Sequence, residues 1–212
     1  MITVYIARYY DPLPERRHLT EHSLGLKLLA EGLSRLYGRS MDTEALTAGF
    51  SYGPYGKPYL TAYPDIHFNI SHCPGLAACA FSDTPVGIDV ERIRPFRDRL
   101  LKKALSREEQ LLLHRLGTEE AAREECFFRF WTLKESCIKQ SGTGMTVPLS
   151  SYSFSFDPEP SADCSAICRS HPELFFRQRL LKDGYILSVC TGHKEDILLL
   201  AASENIAADI IY

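Results

Sequence analysis

Residues 66–91 read IHFNISHCPGLAACAFSDTPVGIDVE, and this stretch decides the fold. Three apolar-rich runs, Ile66 to Ser71, Ala77 to Phe81 and Val86 to Glu91, have the length of strands rather than helices. Pro74-Gly75 and Asp83-Thr84-Pro85 separate them with turn chemistry, so the spacing predicts an antiparallel meander. In the third run apolar residues flank Asp89 and Glu91. Strand side chains alternate between faces, so both carboxylates leave the same face.

Upstream, Ile2, Val4 and Ile6 alternate with Thr3, Tyr5 and Ala7, which predicts an opening strand. Leu19, Leu26, Leu29, Leu33 and Leu36 then form the apolar stripe of a helix from about Pro14 to Tyr37, stopped by Gly38. Tyr52 to Pro64 is rich in Gly, Pro and Tyr and reads as loop. Downstream, Ser106 with Glu109 is a capping box opening a helix to about Leu116. A second helix follows Thr118 to about Gln140, with Gly142 beyond its end. Strands are expected again at Tyr152 to Phe156, Leu174 to Leu181, Tyr185 to Cys190 and Ile197 to Ala202. Strands and helices segregate in this order as in an α+β protein, with a joint between two lobes near Pro85 to Pro95.

The chain has 212 residues, enough for a substantial core, and a net charge of −3, which gives no general argument for nucleic-acid or membrane binding. The N-terminus lacks the basic and apolar regions of a signal peptide, and no apolar run is long enough to span a bilayer. Seven irregularly spaced cysteines fit a reduced, cytoplasmic protein. Positive charge is concentrated locally. Arg92, Arg94, Arg97, Arg99, Lys102, Lys103 and Arg107 face one acid, Asp98, and form either a solvated surface or a dock for an acidic partner.

On the second long helix Trp131, Glu135 and Lys139 are spaced four apart and share a face. Alone this is an ordinary surface pair; beside Asp89 and Glu91 it becomes a site wall. Three convergent carboxylates, two from one strand and a third from a helix, suit Mg2+, a hard ion that takes oxygen ligands and substrate phosphates. Glu135 is a candidate metal ligand or general base, and Lys139 a donor to phosphate oxygens. Ser71-His72 ends a strand with two natural phosphate donors. His72-Cys73 does not make a thiol-protease pair, because neighbours on a strand point apart. Gly53-Pro54-Tyr55-Gly56-Lys57 lacks P-loop spacing, although Gly56 lets Lys57 approach a phosphate. Cys164, Cys168 and His171 lie in apparent loop and lack a clear fourth zinc ligand.

In order and spacing, Gly56-Lys57-Pro58, Phe68 to His72, Gly87 to Glu91, Trp131 to Lys139 and, weakly, Gly144 to Leu149 resemble the 4′-phosphopantetheinyl transferases of the surfactin-synthetase-activating type. The resemblance covers roughly the central half of the chain. It implies two similar α/β lobes with pseudo-twofold symmetry, each an antiparallel sheet packed with helices: residues 1–86 binding coenzyme A, residues 87–212 carrying the metal site and the carrier-protein dock. It further implies Mg2+-dependent transfer of phosphopantetheine from coenzyme A to a serine of an apo acyl or peptidyl carrier protein, with release of adenosine 3′,5′-bisphosphate. On this reading Asp89, Glu91 and Glu135 bind the metal, and Lys57, Ser71, His72 and Lys139 bind coenzyme A, with His72 near the 3′-phosphate. Glu135 and Lys139 are catalytic. The family's first long helix usually carries an Arg and a hydroxyl facing the nucleotide; here the alignment gives His22-Ser23, with Arg16 and Arg17 earlier, and the contact stays open among them. The acceptor implied is an acidic carrier, the pathway secondary metabolism and the state a monomer. The alternatives are a catalytically inactive coenzyme A or carrier-binding module, and a metal-dependent phosphatase or nuclease.

Overall fold

The computed structural model describes residues 1–9, 17–156 and 160–203. The elements run β1 (Ile2–Arg8), α1 (Arg17–Tyr37), α2 (Thr43–Ala48), β2 (Phe50–Tyr52), β3 (Pro58–Leu60), β4 (His67–Cys73), β5 (Leu76–Ser82) and β6 (Val86–Arg92). They continue with α3 (Leu101–Ala104), α4 (Arg107–Arg115), α5 (Glu120–Ser141), β7 (Phe154–Phe156), β8 (Asp163–Cys168), β9 (Phe175–Leu181), β10 (Tyr185–Thr191) and β11 (Ile197–Ala201). One sheet has the order β11-β1-β5-β4 and the other β6-β10-β9-β8-β7, with β2 and β3 as a separate hairpin.

The molecule is built as four layers. One face of the first sheet (Tyr5, Ala77, Cys79, Phe81) packs on Leu24, Leu28, Leu29 and Leu33 of α1. Its other face (Ile2, Val4, Ala78, Ala80) meets Val86, Ile88, Val90, Leu187 and Val189 of the second sheet. The outer face of that sheet (Phe176, Ile186, Cys190) packs on Phe127, Phe130, Leu133 and Cys137 of α5. β5 and β10 are interior strands with layers packed on both faces, so every residue of each is buried and alternation is lost.

The α+β class is as expected, but the meander is not continuous. β4 and β5 are an antiparallel pair, whereas β6 leaves to pair with β10. Both edges of β5 are already taken, by β1 and β4, so the chain crosses at Asp83 to Pro85 into the second sheet. The expected division at residues 86 and 87 falls at the first residues of β6, and β11 returns from the far end of the chain to pair in parallel with β1. The loop read at Tyr52 to Pro64 contains the short strand β3, and the segment around Cys164 and Cys168 is strand β8. β8 escapes a hydrophobicity reading because only Ala166 and Cys168 are buried in it.

Gly87 controls how α5 meets β6. A Cβ there would lie 2.0 Å from the Ser136 carbonyl oxygen and 2.3 Å from the Gln140 nitrogen, so the helix backbone rests directly on the strand. Buried polar contacts then set the helix rotation. The Thr132 and Ser188 hydroxyls are 2.7 Å apart, and Gln178 Nε2 donates to Ser188 Oγ at 2.9 Å and to the Arg129 carbonyl at 2.9 Å. Lys134, fully buried, donates to Glu109 and to the Ala104 carbonyl. Glu109 also closes the capping box of α4 and accepts from Phe154 N, tying three elements to α5. Substituting Gly87→Ala overpacks this contact and is expected to lower unfolding free energy by at least about 2 kcal/mol, measured by urea denaturation.

Candidate active site

β4 and β6 are the facing edges of the two sheets, joined by side chains rather than by a ladder. Asn69 Oδ1 accepts from Ile88 N at 2.9 Å, and Ser71 Oγ accepts from Val90 N at 3.2 Å. These contacts satisfy backbone donors of β6 and hold Asp89 against β4. Ser71 Oγ donates to Asp89 Oδ1 at 2.9 Å. Across the cleft, Lys139 Nζ donates to Asp89 Oδ1 at 2.7 Å and to Ser71 Oγ at 3.0 Å. Ser71, Asp89 and Lys139 therefore form one cluster drawn from three elements.

The carboxylates converge electrostatically. On α5, Trp131, Glu135 and Lys139 form a half-buried stripe flanked by the buried runs 132–134 and 136–138, facing the odd-numbered side of β6. Burial raises the Glu135 carboxyl above its ordinary range, with the charge of Asp89 as the next cause and Lys139 opposing. Burial also raises Glu91, opposed by the hydrogen bond from Arg94 at 2.7 Å. Asp89 Oδ2 is buried without a hydrogen-bond partner, which is costly for an anionic oxygen. Among the described residues no three His, Cys, Asp or Glu side chains are gathered closely enough to hold a metal ion as they stand. An orphaned carboxylate oxygen and two carboxyls raised by burial nevertheless fit a hard cation.

The other expected contacts are distributed differently. His72 points away from Ser71, as the strand period requires, and faces α1. There its Nδ1 lies 3.1 Å from Glu21 Oε2, and Tyr9 donates to Glu21 Oε1 at 2.6 Å. Lys57, at the end of the β2–β3 turn, donates to the carbonyls of Val86 at 2.9 Å and Gln140 at 3.0 Å. It covers the C-terminal end of α5, where the helix dipole favours a cation. Burial lowers its pKa to about 8. His22 and Ser23 are exposed on α1; Arg17 is its first residue, and Arg16 lies outside the described residues.

Glu21 and the Arg94–Glu91 pair were not singled out from the sequence. Glu21 carried a signal: with Leu24 and Leu28 it holds helical spacing on the sheet-facing side, a carboxylate within an apolar stripe. Burial pushes the Cys73 thiol far up, which disfavours the reactive thiolate there. The seven cysteines are all free thiols.

Residues 85–190, which include β6 and α5, match the 4′-phosphopantetheinyl transferase superfamily. The chain is 33% identical over 200 residues to 4′-phosphopantetheinyl transferase Sfp of Bacillus subtilis (strain 168), covering 93% of this chain and 84% of that protein. The chain belongs to the 4′-phosphopantetheinyl transferase superfamily. A second Bacillus subtilis 4′-phosphopantetheinyl transferase is 32% identical over 190 residues, covering 89% of this chain and 79% of the relative. HetI of Nostoc sp. (strain PCC 7120) is 33% identical over 144 residues, covering 65% of this chain and 56% of the relative. As a member of this superfamily the protein is an enzyme of the phosphopantetheinyl transferase type, with coenzyme A as substrate. No helix among the described residues is long and apolar enough to cross a membrane.

Lys57 makes a pH signature. Between about pH 8 and the ordinary lysine range the folded chain has released this proton while the unfolded chain keeps it, so stability rises with pH there. Urea titrations from pH 7.5 to 10 are expected to show this rise in the wild type and a flatter profile in Lys57→Met.

Proposed function

We propose that the enzyme transfers 4′-phosphopantetheine from coenzyme A to a serine of an apo acyl or peptidyl carrier protein, with Mg2+, and releases adenosine 3′,5′-bisphosphate. The observation that carries the reading is the Ser71–Asp89–Lys139 cluster with its partnerless Asp89 Oδ2, beside Glu91 and Glu135. Asp89, Glu91 and Glu135 would hold the cation. When bound, it supplies positive charge to the pyrophosphate oxygens.

The remaining work belongs to the chain's own groups. Ser71 and Lys139 meet the pyrophosphate, His72 the 3′-phosphate, and Lys57 adds positive charge beside Gln140, the neighbour of Lys139. The ammonium of Lys139 stands where negative charge grows on the departing phosphate. Glu135, whose pKa burial raises, takes the proton of the carrier serine. The serine oxygen then bonds to the β-phosphorus as the bridging P–O bond breaks, and the electron pair leaves with adenosine 3′,5′-bisphosphate.

The carrier docks on the segment after β6. Arg92, Arg94, Arg97, Arg99, Lys102, Lys103 and Arg107 are all exposed there. Beside them opens a cavity of about 290 Å³ with Arg94, Arg97 and Arg99 at its rim and Phe96, Phe127, Phe128 and Trp131 in its wall. Arg94 lies 4.7 Å over the Phe128 ring and pairs with Glu91, so the dock adjoins the carboxylates. A basic rim around an aromatic floor suits an acidic carrier surface that presents an apolar side chain. The enzyme acts as a cytoplasmic monomer in secondary metabolism; its seven free thiols support a reducing compartment.

Incubation with coenzyme A, Mg2+ and an apo carrier is expected to add phosphopantetheine to the carrier, read by intact-protein mass spectrometry. Glu135→Gln is expected to abolish the adduct, and near-normal turnover would refute its role. Reversal of Arg97, Lys102 and Lys103 to Glu should raise the carrier KM about 10-fold or more at low salt and spare the KM for coenzyme A. Because the contacts are screened within about 10 Å at 0.1 M salt, the wild-type carrier KM should itself rise with ionic strength.

A further inference from the structure

α1 crosses the face of β4 that points away from Asp89. Gly25 makes that crossing close, since a Cβ there would lie 2.7 Å from Ile70 Cγ2. One turn earlier on the same helix side stands Glu21, and one step of two along the strand from Ile70 stands His72. The packing of α1 thus delivers Glu21 to the imidazole, with Nδ1 and Oε2 separated by 3.1 Å. Tyr9 fixes the carboxylate from the far side through Oε1, at 2.6 Å, and its hydroxyl lies 3.4 Å from the Cys73 carbonyl, so the dyad is tied to its own strand. The Glu21 side chain is 10% exposed and that of His72 29%, which leaves the histidine as the member a ligand reaches.

A carboxylate on Nδ1 holds a proton there and sets the ring plane, as supporting carboxylates do for metal-bound histidines. The opposite nitrogen, Nε2, is then aimed away from Glu21, and the carboxylate balances the charge of a doubly protonated ring. We propose that Glu21, braced by Tyr9, is a positioning residue that presents His72 Nε2–H to the 3′-phosphate of coenzyme A and so makes the enzyme discriminate for donors that carry this phosphate. The proposal rests on the reading that coenzyme A is the donor and that His72 meets its nucleotide end. Glu21 itself touches no reacting atom. It is also an unfavourable neighbour for a phosphate unless His72 stands between them, so its removal has opposite signs under the two views.

The test compares coenzyme A with 3′-dephospho-coenzyme A in the carrier assay. For Glu21→Ala the KM for coenzyme A should rise about 10-fold or more, with kcat and the KM for the dephospho donor little changed. Glu21→Gln, whose amide oxygen can still accept from Nδ1–H, should fall between the two, and Tyr9→Phe should show a smaller shift of the same sign. Nitrogen-15 NMR should report a protonated Nδ1 at His72 in the wild type and a redistributed tautomer in Glu21→Ala. An equal KM change for both donors in all three variants, or a lower KM for coenzyme A, overturns the proposal. The isosteric Gln variant and the Tyr9 variant keep the test open if Glu21→Ala fails to fold. Absence of any carrier adduct from either donor with wild-type protein would instead sink the transferase reading.

Discussion

α5 can reach β6 only because position 87 has no side chain. With backbone resting on backbone there, the helix is held close along the strand, and residues four apart on it line up over residues two apart on β6. Glu135 and Lys139 then face Asp89 and Glu91 across a cleft narrow enough for an ammonium–carboxylate contact of 2.7 Å. Any side chain at 87 would push the helix outward and open that cleft. The buried contact of Thr132 with Ser188 holds the same helix face to the sheet, and Lys134 ties its other side to Ala104 and Glu109, so rotation is set as well as distance.

Charge is tolerated at this cleft because each charged group has a compensating neighbour. Asp89 is buried but receives Ser71 and Lys139; Glu91 receives Arg94. What is left over, Asp89 Oδ2 and the raised carboxyl of Glu135, marks where positive charge is still wanted.

β4 divides two tasks between its faces. Asn69 and Ser71 stitch the sheets together and steady Asp89, while Phe68, Ile70 and His72 take the weight of α1. Adjacent residues Ser71 and His72 therefore have different surroundings, Asp89 and Lys139 for the one and Glu21 for the other, and on the proposed reading they would serve different parts of one extended ligand. A long molecule such as coenzyme A, with phosphates at well-separated points, suits a strand that offers donors on both sides.

Much of this was legible in the one-dimensional pattern. The strand period put Asp89 and Glu91 on one face, helical spacing joined Trp131, Glu135 and Lys139, and the Ser106–Glu109 box opened α4. These depend on residues a few positions apart, whose geometry is set by covalent connection and local hydrogen bonding. Which edge β6 would choose was not legible, because it turned on β1 occupying the edge of β5. Nor was β8, whose few buried residues give no apolar run, nor the return of β11 to β1. The partners of the site groups belong to the same class. Glu21 on His72, Arg94 on Glu91 and Lys57 on the end of α5 are meetings that only close packing of distant segments decides. Sequence alone determined that Asp89 and Glu91 share a strand face and that Glu135 and Lys139 share a helix face, since that follows from local period and spacing. Tertiary structure decided which groups touch, because contact depends on how closely two layers approach, and here that distance is set by glycines facing another chain segment.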